Sequence, residues 1–229
     1  MTPARLRCRF PLPLLIALVT LFAGSALAQS PPDDLRKSLE KAVRSGTVQK
    51  TVCPGATYCN PVSVARFYQM RKYEPAWSRE GAPLPAADTL ARAIRAADAE
   101  GLQPKDYHLE RIDAALVEIR QILARNERPD AGRLVALEFL LTDAYLVYAA
   151  HLLNGRVNPE TLHADEWTIY PSRFNLVRYL QKALGDDGFE DSLRRLLPAQ
   201  AGYGRLKTAL TVYRALAERG GWPVVPGDG

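Results

Sequence analysis

Between Ala131 and Leu153 the chain carries a long helical stretch, and this segment limits the fold more than any other. From Leu134 onward few positions are polar, among them Glu138, Thr142, Asp143 and His151. A surface helix shows one apolar stripe, whereas a helix apolar on most sides must be covered on several faces. The segment therefore predicts the central helix of a bundle, ended by Asn154-Gly155. No alternating apolar–polar pattern longer than a few residues is present, and no internal repeat. The expected class is all-α: an irregular multi-helix bundle, orthogonal or up-down, around a buried helix at about 131–153.

Shorter amphipathic stretches supply the neighbours. Leu35, Leu39, Ala42 and Val43 share a face of a helix over 33–44, stopped by Ser45-Gly46. Asn60-Pro61 reads as N-cap and first turn of a helix to about Lys72, with Val64, Phe67, Tyr68 and Arg71 on one side. Pro75 cannot continue it, and 81–85 reads as loop. Further helices are expected over 86–100, closed by Gly101, and over 109–126, with Ile112, Leu116, Ile119 and Leu123 in register. After a connector to Pro171, Ser172 can cap a helix to Leu184, and a short helix covers 189–196. A last helix starts at Pro198 or Gly204, carries Tyr203, Leu206, Leu210, Tyr213 and Leu216 at helical spacing, and stops at Gly220-Gly221.

The first 28 residues read as a signal peptide. Arg5, Arg7 and Arg9 precede an apolar run from Leu12 that ends Ser25-Ala26-Leu27-Ala28, a small-x-small site with cleavage after Ala28. A retained anchor is the alternative, although the run is short for a spanning helix. Three positive charges of the net +5 belong to this leader, so the remainder is close to neutral. No basic stripe stands out, which argues against a nucleic-acid partner. No membrane span is expected after the leader, and the expected location is the periplasm.

Beyond the leader the cysteines are Cys53 and Cys59, flanking a Pro54-Gly55 turn signal. A disulfide is the leading reading for an oxidising compartment. The spacing is not that of a Cys-x-x-Cys redox motif, and no second ligand pair supports a metal.

Chemistry-bearing residues are sparse. Glu138 and Asp143 lie five apart on one helix, roughly 140° around its axis, so they do not share a face. Pairing with nearby arginines is the expectation for both. A lone acid such as Glu138 or Glu166 would be needed for a small helical wall hydrolase. His108, His151 and His163 show no metal-ligand spacing, and a cation at His151 would be favoured by the helix dipole. No nucleophile elbow or phosphate-binding glycine loop is present. No catalytic residue, cofactor or metal is expected. Trp77, Trp167, Tyr170 and Trp222, in loops or at helix ends, are the candidate contact surface, with burial over the bundle ends as the alternative.

Four segments, in order, resemble a known family. They are Phe67-Tyr68-Gln69 through Arg71 to Pro75-Ala76-Trp77; Ala96 to Leu102 leading into Pro104 and Asp106-Tyr107-His108; Leu141-Thr142-Asp143-Ala144 through Tyr148 to Gly155-Arg156-Val157-Asn158-Pro159; and Leu196-Leu197-Pro198 through Tyr203, Leu206, Leu210 and Tyr213-Arg214 to Gly220-Gly221-Trp222-Pro223. Together they resemble the N-terminal scaffold domain of large murein L,D-transpeptidases, over roughly Val62 to Gly227. The resemblance implies a helical, non-catalytic module beside a peptidoglycan-binding and a catalytic domain that forms 3→3 crosslinks through a cysteine. That cysteine motif has no counterpart in this sequence. The implied organisation is a leader over 1–28, an N-terminal helix and cysteine loop over 29–61, the scaffold domain over 62–221 and a linker-like tail over 222–229. The implied role is docking, without catalysis. The expected partner is peptidoglycan, a catalytic L,D-transpeptidase domain or another wall enzyme.

Overall fold

The computed structural model describes residues 32–157, 174–185 and 188–222. Ala28, His163, Glu166, Trp167, Tyr170 and residues 223–229 lie outside the described residues, as does the Ser172 cap. Within the described residues the fold is all-α apart from one small hairpin. Its helices are α1 (Pro32–Arg44), α2 (Thr47–Val52), α3 (Pro61–Met70), α4 (Pro85–Arg95), α5 (Leu109–Ala124), α6 (Ala131–Asn154), α7 (Leu176–Ala183), α8 (Phe189–Arg194) and α9 (Ala201–Glu218). Two 3-10 turns, Ala97–Glu100 and Pro104–Tyr107, follow α4.

The apolar α6 is the axis of the bundle. Its N-terminus is capped by the Asp130 side chain, which accepts from the Arg133 N–H at 3.0 Å. Gly155, at φ 78°, ends it. Helices α1, α2, α3, α4, α5 and α7 all pack on it. By length and composition α6 could cross a bilayer, so the expectation that nothing beyond the leader has that character is too strong. Its apolar surface is instead covered by the domain, with Leu137, Phe139, Leu141, Ala144, Tyr145 and Ala149 fully buried.

The element missed in the sequence is α2. Gly46, at φ 73°, ends α1 and opens α2 with no side-chain cap, so the stop signal is also a start. Leu39, Val48 and Val52 of α1 and α2 enter the same core as the later helices. Each such burial contributes about 1.5–3 kcal/mol, so the N-terminal helices belong to the core energetically. The α3 boundary follows its cap: the Asn60 side chain accepts from the Ser63 N–H at 3.1 Å. Between α3 and α4, β1 (Ser78–Arg79) and β2 (Ala82–Pro83) pair antiparallel. Glu80 and Gly81 both have positive φ, the backbone of a two-residue hairpin turn whose twist matches its strands.

Cys53 and Cys59 lie at disulfide distance, their Cα atoms 5.3 Å apart, closing the loop from α2 to α3. A loop of this length stabilises by about 2 kcal/mol in the chain-entropy model. Replacing both cysteines by Ser should lower the thermal midpoint by roughly 4–8 °C in a circular dichroism melt. An unchanged midpoint would mean that the bond contributes nothing to the fold.

Candidate functional site: buried carboxylate clasps and an exposed helix

Glu138 has no exposed surface. Its Oε1 accepts from the Trp77 N–H at 3.0 Å and the Ser78 hydroxyl at 2.7 Å. Its Oε2 accepts from the Ala76 N–H at 2.7 Å and the Tyr68 hydroxyl at 2.8 Å. These donors come from α3 and from the segment leading into the hairpin, whose Leu84 N–H returns to the Trp77 carbonyl at 2.7 Å. Carbonyls of the same segment are taken by Arg71, which donates to Glu74 at 3.1 Å and Pro75 at 2.9 Å. One carboxylate thus satisfies the amides of a loop and one guanidinium its carbonyls. Burial pushes the Glu138 carboxyl above its ordinary range, and the four donors oppose that rise.

Asp143, also fully buried, forms a second clasp. It accepts from the Asn60 N–H at 2.6 Å and pairs with His108 Nε2 at 2.7 Å. An ionised carboxylate can only accept, so Nε2 carries the proton in this pair. His108 itself has a φ of 56°, at the junction of a 3-10 turn and α5. The arginine pairing expected for Glu138 and Asp143 is therefore wrong. Backbone amides, hydroxyls and a histidine fill their sites, and Arg71 is engaged instead by the carbonyls of Glu74 and Pro75.

Beyond the end of α6 a third cluster gathers. Asp106 is buried, with neither carboxylate oxygen in a hydrogen bond among the described residues, and Arg156 Nε stands 3.2 Å from it. The same Nε lies 3.3 Å from the Tyr58 hydroxyl of the disulfide loop. Tyr58 meets His151 edge-on at 4.7 Å, and His151 Nδ1 lies 2.9 Å from the Tyr107 hydroxyl. Burial lowers the His151 pKa below its ordinary value, opposed by the Asp106 charge. The helix dipole, which favours a cation at His151, is thus opposed by burial of the ring beside two tyrosines.

Trp77 is completely buried, which removes it from the candidate contact surface and bears out the alternative of burial. It donates from Nε1 to Thr142 Oγ1 at 2.9 Å and packs edge-on against Phe189 at 5.6 Å. Proximity to Pro75 suggested a loop tip, but the clasp draws the segment inward. Trp222 is 71% exposed and stacks loosely on Tyr213, ring centroids 6.5 Å apart. It is the one tryptophan of the candidate surface that the described residues place outside. No grouping of metal-ligating side chains occurs among the described residues.

Helix α9 differs from the rest because no residue of it is buried. Its attachment is polar: Tyr203 donates to Glu100 Oε2 at 2.5 Å, Lys207 to Glu100 Oε1 at 2.6 Å and Arg214 to the Asp98 carbonyl at 2.7 Å. Leu210 adds an apolar contact, its Cδ2 lying 3.7 Å from where a Cβ on Gly101 would stand.

A family model described as "Scaffold domain" matches residues 62–210. The chain belongs to this scaffold-domain family. No curated protein and no solved structure matches the chain significantly. The matched residues contain the three acids that are buried among the described residues, Asp106, Glu138 and Asp143, with Tyr68, Trp77, His108 and Arg156. The disulfide, Tyr58 and Asn60 precede the matched residues yet contribute to two of the clusters. Sequence reasoning quoted Asp106 and Arg156 as motif residues but assigned them no partner. They stand fifty positions apart in the chain, beyond the reach of periodicity.

Glu138→Gln should destabilise the scaffold domain by about 2 kcal/mol near neutral pH, since its amide NH2 faces donors and leaves them unsatisfied. The pH dependence has a definite sign. A carboxyl raised in the fold favours the protonated form, so its contribution is complete below the ordinary range and is lost as pH rises through the raised value. The stability advantage of wild type over Glu138→Gln should therefore shrink with rising pH in urea melts, and a flat difference would exclude this titration. In the third cluster, Arg156→Ala should lower the urea midpoint, and adding Asp106→Asn should restore most of the loss. No recovery in the double variant would show that the two residues act independently.

Proposed function

We propose that the chain is a non-catalytic docking module of peptidoglycan L,D-transpeptidation, exported to the periplasm and acting by contact with the wall or with a transpeptidase. Membership of the scaffold-domain family supports the module, and the four sequence segments that resemble the murein transpeptidase scaffold support its process. The observation that carries the non-catalytic reading is the state of Glu138. A general acid must reach the bond it protonates, and this carboxylate is buried behind four donors that already occupy both oxygens. Asp143 and His108 are committed to each other and to the Asn60 amide in the same way. The disulfide distance between Cys53 and Cys59 supports an oxidising compartment.

Deleting the gene should reduce the share of 3→3-crosslinked muropeptides in purified sacculi. The purified protein should co-sediment with sacculi or with an L,D-transpeptidase while leaving isolated muropeptides unchanged. Crosslinking or hydrolysis by the purified chain with Cys53 and Cys59 both replaced by Ser would overturn the non-catalytic reading. Unaltered crosslinks in the deletion strain would overturn the link to transpeptidation.

A further inference from the structure

The weakest-covered element carries the most ordered surface. At roughly 100° per residue, Tyr203, Lys207, Leu210 and Arg214 fall on one side of α9, the side held by Glu100, Asp98 and Gly101. Leu206, Ala209, Val212, Tyr213 and Leu216 fall on an adjoining arc of roughly 120° that faces away from this attachment. Leu206 is 70% exposed, Val212 59% and Tyr213 61%. Trp222 extends the arc past the end of the helix through its contact with Tyr213. Single exposed apolar side chains are ordinary, but an aligned row over about three turns marks a contact surface.

Charge selects the occupant. Arg205 and Arg219 flank this arc on the line of Val212, about 21 Å apart, with no acid on that edge. Glu218 falls on the attached side. A second copy packed antiparallel is disfavoured, because it would set Arg205 against Arg219 of the other copy. An anionic bilayer is also a poor match, because an interfacial helix needs cations along its polar face, where Lys207 and Arg214 are already engaged by Glu100 and Asp98. Helix-in-groove recognition fits, with anchors at i, i+3, i+7 and i+10 in Leu206, Ala209, Tyr213 and Leu216.

We propose that α9 is the ligand of an apolar groove on a partner protein, a groove with carboxylates along the rim that meets Arg205 and Arg219. This deepens the docking reading by assigning its contact element and the chemistry of the surface it meets. The groove would cover the face of α9 that its own domain leaves open and would keep the polar attachment intact.

The test uses the full chain in its producing cell with p-benzoylphenylalanine at position 213, and at Val117 on α5 as an exposed control. Irradiation should give one discrete adduct with another protein from position 213 and none from 117. Mass spectrometry should place the partner's crosslinked peptide in an apolar groove bordered by Asp or Glu. Arg205→Glu with Arg219→Glu should cut the adduct by about tenfold, while the melting curve of the purified chain stays unchanged. Replacing the mapped acids by Lys should restore the adduct to the charge-reversed chain. An adduct with a second copy, an adduct with lipid, no adduct, or one indifferent to the charge reversal would each overturn the proposal. A partner with such a groove but no part in wall metabolism would uphold this interface and sink the transpeptidation reading.

Discussion

The fold depends on a buried anion being cheaper to satisfy than to remove. Glu138 sits in the first half of α6, the most apolar of the described helices, where an unpaired carboxylate would be prohibitive. Four donors resolve the difficulty, and all four come from outside α6. The carboxylate therefore selects one arrangement of α3, the hairpin and α6, because any other leaves it or its donors unsatisfied. Hydrophobic burial explains why the helices collapse around α6, while this network explains why they do so in one register. Asp143 repeats the logic toward the start of α3 and the turn before α5.

Helix identity was legible wherever apolar spacing and a cap agreed. The Asn60-Pro61 start, the Gly155 stop and the buried character of α6 all follow from local rules. Helix α2 was not legible, since six residues show too little periodicity and its start coincides with a stop signal at Gly46. The hairpin was hidden by its two-residue strands, although Gly81 marked a turn. The α9 start was ambiguous between Pro198 and Gly204, and the actual N-cap, Gln200, makes no side-chain bond. Trp77 was misplaced for a different reason. Its destination is set by Glu138, sixty-one residues later, and no local signal reports that bond.

Many residues of the first three segments behind the family resemblance have a common trait in the structure. Tyr68, Ala76, Trp77, Asp106, His108, Thr142, Asp143 and Arg156 all take part in the buried polar clusters. Such residues are constrained by geometry as tightly as active-site residues are, because each must meet a specific partner at hydrogen-bond distance. A motif built from them reports an architecture.

The two acids of α6 also bear on how such a chain could be delivered. A freshly translocating polypeptide meets the export channel as an unfolded thread, with none of the later contacts in place. At that moment α6 is simply an apolar segment long enough to lodge in the lipid. Near the centre of a nascent span, an acidic side chain such as Asp143 adds about 2.5–3.5 kcal/mol to the cost of insertion. In a chain exported as proposed, Glu138 and Asp143 would serve twice: their charge raises the cost of lodging in the lipid, and the folded domain then uses the same charge to lock the segment in place.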